Sequence, residues 1–174
     1  MTTLHHLAEA ELAHQQSGEV SYVPDPHPEA YAISGIDGLP KDTDKLRRCL
    51  AVVLVGKDFK GRNISQLLHV SPKILEKSIV FVRPFKRTFQ KILTNFSASA
   101  TQCEVLVYGG VANDSLDPHT DYRKTNADIY REMLELLTEC SRKILKSNPQ
   151  VKAGPNGNFK RLLFVTETKK AVLS

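Results

Sequence analysis

The apolar positions along the chain fall into a few patterned stretches separated by polar, proline-rich or glycine-rich segments. The longest unbroken apolar run is 49–55, seven residues. Taken with Leu46, it predicts a central strand over 46–55. The Gly56-Lys57-Asp58-Phe59-Lys60-Gly61 segment then predicts a turn. Residues 64–70 read as a short helix capped by Asn63, and Ser71-Pro72 as the start of a second, with Ser at the cap and Pro at the first helical position. Short strands are predicted at 79–82 and 104–108, the second with room to extend to Val111 and ended by Gly109-Gly110. A polar loop covers 112–126.

Residues 127–146 carry the clearest helical pattern. Ile129, Met133, Leu136, Leu137, Cys140 and Ile144 share one face, while Arg131, Glu135, Glu139 and Lys143 lie on others, and Pro149 stops the helix. A turn at 154–158 leads into a last strand at 159–166. In 83–96, Phe85, Phe89, Ile92, Leu93 and Phe96 recur at helical spacing, with Lys86, Arg87 and Lys91 on the other side. That reads as a basic amphipathic helix, although the aromatic and branched content also permits a strand pair. Its apolar face suits either an ordinary core or a contact with acidic lipid or nucleic acid.

The first 44 residues differ. Leu4, Leu7, Ala8 and Leu12 sketch a short helix within 1–20, while 21–44 hold Pro24, Pro26, Pro28, Pro40, Gly35 and Gly38. Prolines this close favour extended geometry. The expected organisation is a flexible, acidic, proline-containing arm at 1–44 and one globular domain at 45–174. The expected fold class is α+β, a small antiparallel sheet packed by helices with a disordered N-terminal arm.

Composition removes several classes. Hydrophobic residues make up 41% and charged residues 25%, as in ordinary globular proteins. No apolar stretch approaches the roughly 20 residues that a membrane-spanning helix requires. The N-terminus lacks the basic-then-apolar pattern of a secretory signal. Cys49, Cys103 and Cys140 are widely spaced and odd in number, which reads as reduced, buried thiols with neither disulfide nor zinc.

Charge changes the picture more. Residues 1–44 hold eight acids and one base, and 45–174 hold 23 bases and 11 acids, so an arm of −7 precedes a body of +12. A body of this kind attracts phosphate backbones or acidic headgroups. The candidate anion-binding residues, for membrane or nucleocapsid, are Lys45, Arg47, Arg48, Lys57, Lys60, Arg62, Arg83, Lys86, Arg87 and Lys91. The arm can also settle on the basic body, within one molecule or on a neighbour. The plain alternative is that these charges serve solubility alone.

No catalytic set stands out. There is no Walker loop and no GxGxxG, and Val107-Tyr108-Gly109-Gly110 reads as a tight turn. His119, among Asp114, Asp117 and Asp121, lacks the ligand alternation of a calcium loop and reads as part of a polar loop. The chain is therefore expected to be no enzyme, with no cofactor and no metal. Phe81, Phe85 and Phe89 interleave with Arg83, Lys86 and Arg87, which keeps a second reading open: a basic RNA-binding accessory or silencing-suppressor module, using stacking plus phosphate contacts.

The order of segments resembles the matrix proteins of rhabdoviruses, particularly the short plant-infecting cytorhabdovirus kind. The resemblance starts at the patch Tyr22-Val23-Pro24-Asp25-Pro26-His27-Pro28-Glu29-Ala30-Tyr31, continues through 46–55 and 65–78, and is locally densest in Arg83-Pro84-Phe85-Lys86-Arg87-Thr88-Phe89-Gln90-Lys91-Ile92-Leu93-Thr94-Asn95-Phe96-Ser97. It implies a non-enzymatic structural protein lying under the virion envelope, and in the host cytoplasm and membrane periphery. Its implied partners are itself as a homo-oligomer or polymer, the nucleocapsid or RNA, and an acidic membrane surface. It also implies self-association through an N-terminal segment docking on a neighbour, here the arm with Tyr22, Pro24, Pro26, Pro28 and Tyr31. Two departures matter. No Lys or Arg precedes Lys41, where animal-virus members have a lysine-rich N-terminus, and the Pro-Pro-x-Tyr budding motif is absent.

Overall fold

A computed structural model of the chain describes residues 19–75, 85–117 and 124–174. In chain order the elements are β1 (Ser21–Val23), β2 (Tyr31–Ile33), β3 (Lys41–Thr43), β4 (Leu50–Lys57), β5 (Asn63–Val70), a 3-10 turn (Pro72–Leu75), α1 (Phe85–Ser99), β6 (Thr101–Gly109), α2 (Asn126–Leu145), β7 (Gln150–Ala153), β8 (Leu162–Val165) and β9 (Lys170–Leu173). The fold is α+β. Its strands form two sheets, one ordered β2-β5-β4-β6-β7 and the other β1-β3-β8-β9. Each is mixed, since β6 pairs with β7 and β1 with β3 in parallel, so two mixed sheets replace the single antiparallel sheet expected.

The apolar run sits in the centre of the larger sheet, as its pattern implies. Strand side chains alternate between faces. Leu50, Val52 and Leu54 of β4 join Phe89, Leu93, Phe96, Met133 and Leu137 under the helices. Ala51, Val53 and Val55 join Val23, Leu162 and Phe164 of the smaller sheet. The result is three layers: helices, five-stranded sheet, four-stranded sheet. A strand buried on both faces needs apolar residues at every position, which explains the unbroken run.

The same burial overturns the helix expected at 64–70. Those residues are β5, paired antiparallel with β4 from Leu50↔Val70 to Lys57↔Asn63. Ile64, Leu68 and Val70 face the helices, while Leu67 faces the smaller sheet. Two apolar faces on one strand imitate helical spacing. Pro72–Leu75 forms only the 3-10 turn, with the Ser71 hydroxyl accepting from Lys73 N at 3.0 Å.

The amphipathic stretch at 83–96 resolves as helix α1, which buries Phe85, Phe89, Leu93 and Phe96. α2 matches the expected helix to within a residue at each end. Thr125 and Asp128 form a reciprocal capping box at its start, and Lys146 ends it in the left-handed conformation (φ 59°), before Pro149 is reached. The strand expected at 104–108 begins earlier, at Thr101. The last strand is shorter than 159–166 and continues into a hairpin partner, β9, that the pattern does not announce; nor does it announce β7. The helix sketched in 1–20 and the strand at 79–82 lie outside the described residues.

The arm needs the largest correction. Its described part, 19–44, belongs to the fold: β1 and β3 enter the smaller sheet and β2 edges the larger one. Pro24, Pro26 and Pro28 occupy the β1–β2 connection, and Pro40 immediately precedes β3, where its carbonyl accepts from Ser21 N. Three-residue strands between proline turns look like coil from sequence because the turns outnumber the strand positions.

Candidate functional site

The β4–β5 register closes at Lys57↔Asn63 and leaves 58–62 to cross over. Asp58 builds this crossing. Its carbonyl accepts from Gly61 N and its amide donates to Arg62 O, both at 2.9 Å. Its carboxylate accepts from Lys60 N, Arg62 N and Arg62 Nε, each at 2.9 Å. These donors, the Arg62 amide foremost, hold the Asp58 carboxyl below its ordinary range. Gly61 closes the turn at φ 76°, which a side chain resists. Phe59 is left at the corner with 90% of its surface exposed, and the Lys60 ammonium lies 5.5 Å from its ring centroid. Lys57 Nζ reaches the neutral acceptors Gly61 O at 3.4 Å and Asn63 Oδ1 at 3.3 Å, which leave its charge in place.

Helix α1 supplies a second basic stretch. Arg87 and Lys91 are exposed, while Lys86 pairs with Glu139 of α2. The helix runs from the Leu50 end of β4 towards the hairpin. Phe85 stacks edge-on to Tyr31 at 5.4 Å, and a Cβ on Gly56 would lie 2.8 Å from Ala100 Cβ just beyond the helix. A third group precedes β4. Lys45 is exposed in the left-handed region (φ 56°), Arg47 is exposed, and Arg48 pairs with the buried Asp117.

The ten predicted cations therefore do not form one patch. Lys57, Lys60 and Arg62 gather at the hairpin tip. Lys45, Arg47 and Arg48 sit at the other end of β4, an eight-residue strand about 25 Å long. Lys86 and Arg87 start α1 at that same end. Arg83 lies outside the described residues, as does His119. Arg48, Arg62 and Lys86 are matched by acids, whereas Lys45, Arg47, Lys60, Arg87 and Lys91 have no ion pair among the described residues.

The arm residues are engaged within the molecule, some by the arm itself and some by the body. The Tyr22 hydroxyl donates to Asp44 at 2.7 Å. Pro26 is buried, Pro24 and Pro28 are exposed, and the Pro28 carbonyl accepts from Lys73 Nζ at 2.9 Å. Tyr31 packs on Phe85. Asp42 takes a two-pronged contact from Arg161, at 2.9 and 2.7 Å. Of these contacts, Asp42 with Arg161 is the one in which an acid of 19–44 meets a base of the body.

Between the sheets lies a polar seam. Lys41 is fully buried and pairs with Asp37, and burial depresses its amine. The Thr43 hydroxyl gives its one proton to Val23 O at 2.7 Å, so His69 Nδ1, 2.8 Å from the same oxygen, carries the ring proton. His69 Nε2 is buried without a partner among the described residues, and desolvation pushes the imidazole down to about 4. Burial raises all three thiols, Cys49 to about 12, which keeps them protonated and poorly nucleophilic at neutral pH. Among the described residues no three His, Cys, Asp or Glu side chains are grouped to hold a metal.

Phe59 is the feature that counting charges passes over. Its signal is present in the sequence: an aromatic inside a Lys-Asp-Phe-Lys-Gly turn has no buried face to join. Conversely, Phe85 and Phe89 are core residues and offer no ring for base stacking. No family model matches the chain, and no curated protein matches it either.

Proposed function

We propose that this chain is a matrix-type structural protein that self-assembles and bridges an acidic membrane and a nucleocapsid, beneath a virion envelope and at the membrane periphery of the host cytoplasm. The observation that carries this reading is the display, at both ends of β4, of cations with no ion pair among the described residues, with Lys45, Arg47 and Arg87 at one end and Lys60 at the other. Positive charge on two separated ends suits a bridge between two anionic partners better than a single recognition groove. The local resemblance of 83–97 to rhabdovirus matrix proteins supports the same reading. Each exposed contact of this type is worth at most about 1 kcal/mol and is screened by salt, so assembly relies on many of them.

The test is dilution of purified protein from high to low salt without lipid or RNA, followed by light scattering and electron microscopy. Ordered filaments or lattices of protein alone are expected. A monomeric solution that changes only when RNA is added would replace this reading with the RNA-binding accessory or silencing-suppressor module.

A further inference from the structure

We infer that the β4–β5 hairpin tip is the membrane-contact element, with Phe59 entering the headgroup–acyl boundary of an anionic bilayer while Lys57, Lys60 and Arg62 meet lipid phosphates. This deepens the proposed membrane-bridging role and rests on it. A lone exposed phenylalanine is commonplace on a mobile loop, but this one is held on a tight turn fixed by the Asp58 contacts and by Gly61. Phe59 lines the rim of a groove of about 910 Å³ with Ile36, Ile64 and Ala98, yet it remains 90% exposed. An apolar ring held out in water with cations beside it is the composition of an interfacial anchor: the ring gains by leaving water and the cations gain at an anionic surface.

The neighbourhood favours a bilayer over an RNA strand. The groove beside Phe59 also carries Asp37, Asp58 and Glu167. A phosphodiester chain running past the ring would pass these carboxylates, whereas a bilayer meets the convex tip end-on. The other four large apolar side chains that are exposed, Tyr22, Ile33, Leu116 and Val151, are at most 59% exposed, so the tip is the most available apolar contact among the described residues.

The chain contains no tryptophan, so Phe59→Trp places a single reporter at the tip. The full chain carrying this change is titrated with vesicles of phosphatidylcholine alone and of phosphatidylcholine with phosphatidylserine. A blue shift and protection from aqueous quencher are expected with the anionic vesicles only, and both reverse at high salt. Phe59→Ser is expected to weaken vesicle co-sedimentation about tenfold, and adding Lys60→Glu to the Phe59→Trp variant to weaken it by at least about fivefold. Neither position is buried, and thermal melting checks that both variants fold. Vesicle binding that leaves the introduced indole unshifted would overturn the tip assignment while leaving the membrane role to Arg87, Lys91 or Lys45. No binding to anionic vesicles would overturn both. A shift that follows protein concentration without lipid would assign the tip to a second copy, and a shift with single-stranded RNA alone would assign it to nucleic acid; either overturns the inference.

Discussion

At the scale of single residues, Lys41 and His69 meet burial in different ways. Lys41 keeps a carboxylate partner in Asp37, whereas His69 is neutral, with Nδ1–H given to Thr43 and Nε2 facing no acceptor among the described residues. Protonating the ring would bury a charge and a second, unmatched N–H. Asp25 and Asp44 pull the other way, but desolvation outweighs them and the folded value is about 4. In the unfolded chain the value returns to its usual 6.5. Between these values the unfolded chain binds a proton that the folded chain refuses, so stability falls as the pH drops from about 6.5 towards 4. The loss should reach roughly 3 kcal/mol at most. Urea unfolding of the wild type should therefore weaken between pH 7 and pH 5, and His69→Gln should flatten that dependence; an unchanged slope in the variant would remove His69 from the account. None of this is legible in the sequence. Lys41 stands in a proline- and acid-rich stretch that reads as solvated arm, and His69 lies in a segment that reads as helix. Burial between two sheets is a long-range fact that local pattern does not carry.

At the scale of elements, β4 and its neighbours are legible where one strong pattern dominates. The unbroken run predicts a central strand, and the phenylalanine spacing and the 127–146 stripe predict helices close to those observed. The misreading of β5 has one cause, burial on two faces, which erases its alternation and makes Ile64, Leu67 and Leu68 look helical. The edge strand β7 has no apolar pattern to read because Gln150, Val151 and Lys152 are all exposed, so neither face is buried along its length. Gly56 shows how tightly the sheet meets α1. A Cβ there would stand 2.8 Å from Ala100 Cβ, 2.9 Å from Thr101 O and 3.3 Å from Phe96 Cε1. Two of these are backbone or near-backbone atoms and cannot swing aside. Gly56→Ala should cost about 2 kcal/mol, as overpacking in a tight core does, and denaturant unfolding would measure it. A neutral result would mean that α1 can move off the sheet without loss. The hairpin tip is half legible. Its turn, its three cations and an aromatic placed inside the turn are plain in the sequence, but how far Phe59 stands out is not, because the degree of exposure depends on where the turn projects.

At the scale of the molecule, the arm and the body are one object from residue 19 onwards. β3 is an interior strand of the smaller sheet, paired with β1 on one side and β8 on the other. Removing 1–44 would strip this sheet of two strands and the larger sheet of β2, and would expose Leu162 and Phe164. That truncation should fail to fold, by circular dichroism and by proteolysis, whereas removing 1–18 retains all nine described strands and should melt cooperatively. The shorter deletion is therefore the one that can reveal whether an N-terminal segment drives self-association; a folded protein lacking 1–44 would contradict the topology. The charge split is legible in the sequence, but the strand pairing of the acidic segment is not. The smaller sheet also joins the two ends of the chain, since β1 and β3 come from its start and β8 and β9 from its finish. A nascent polypeptide leaving the ribosome can pair β1 with β3 early, but the other edge of β3 stays open until β8 emerges. Until then Val53, Val55 and Leu106 lack the cover of Leu162 and Phe164, and an apolar sheet face left open during synthesis is prone to aggregate.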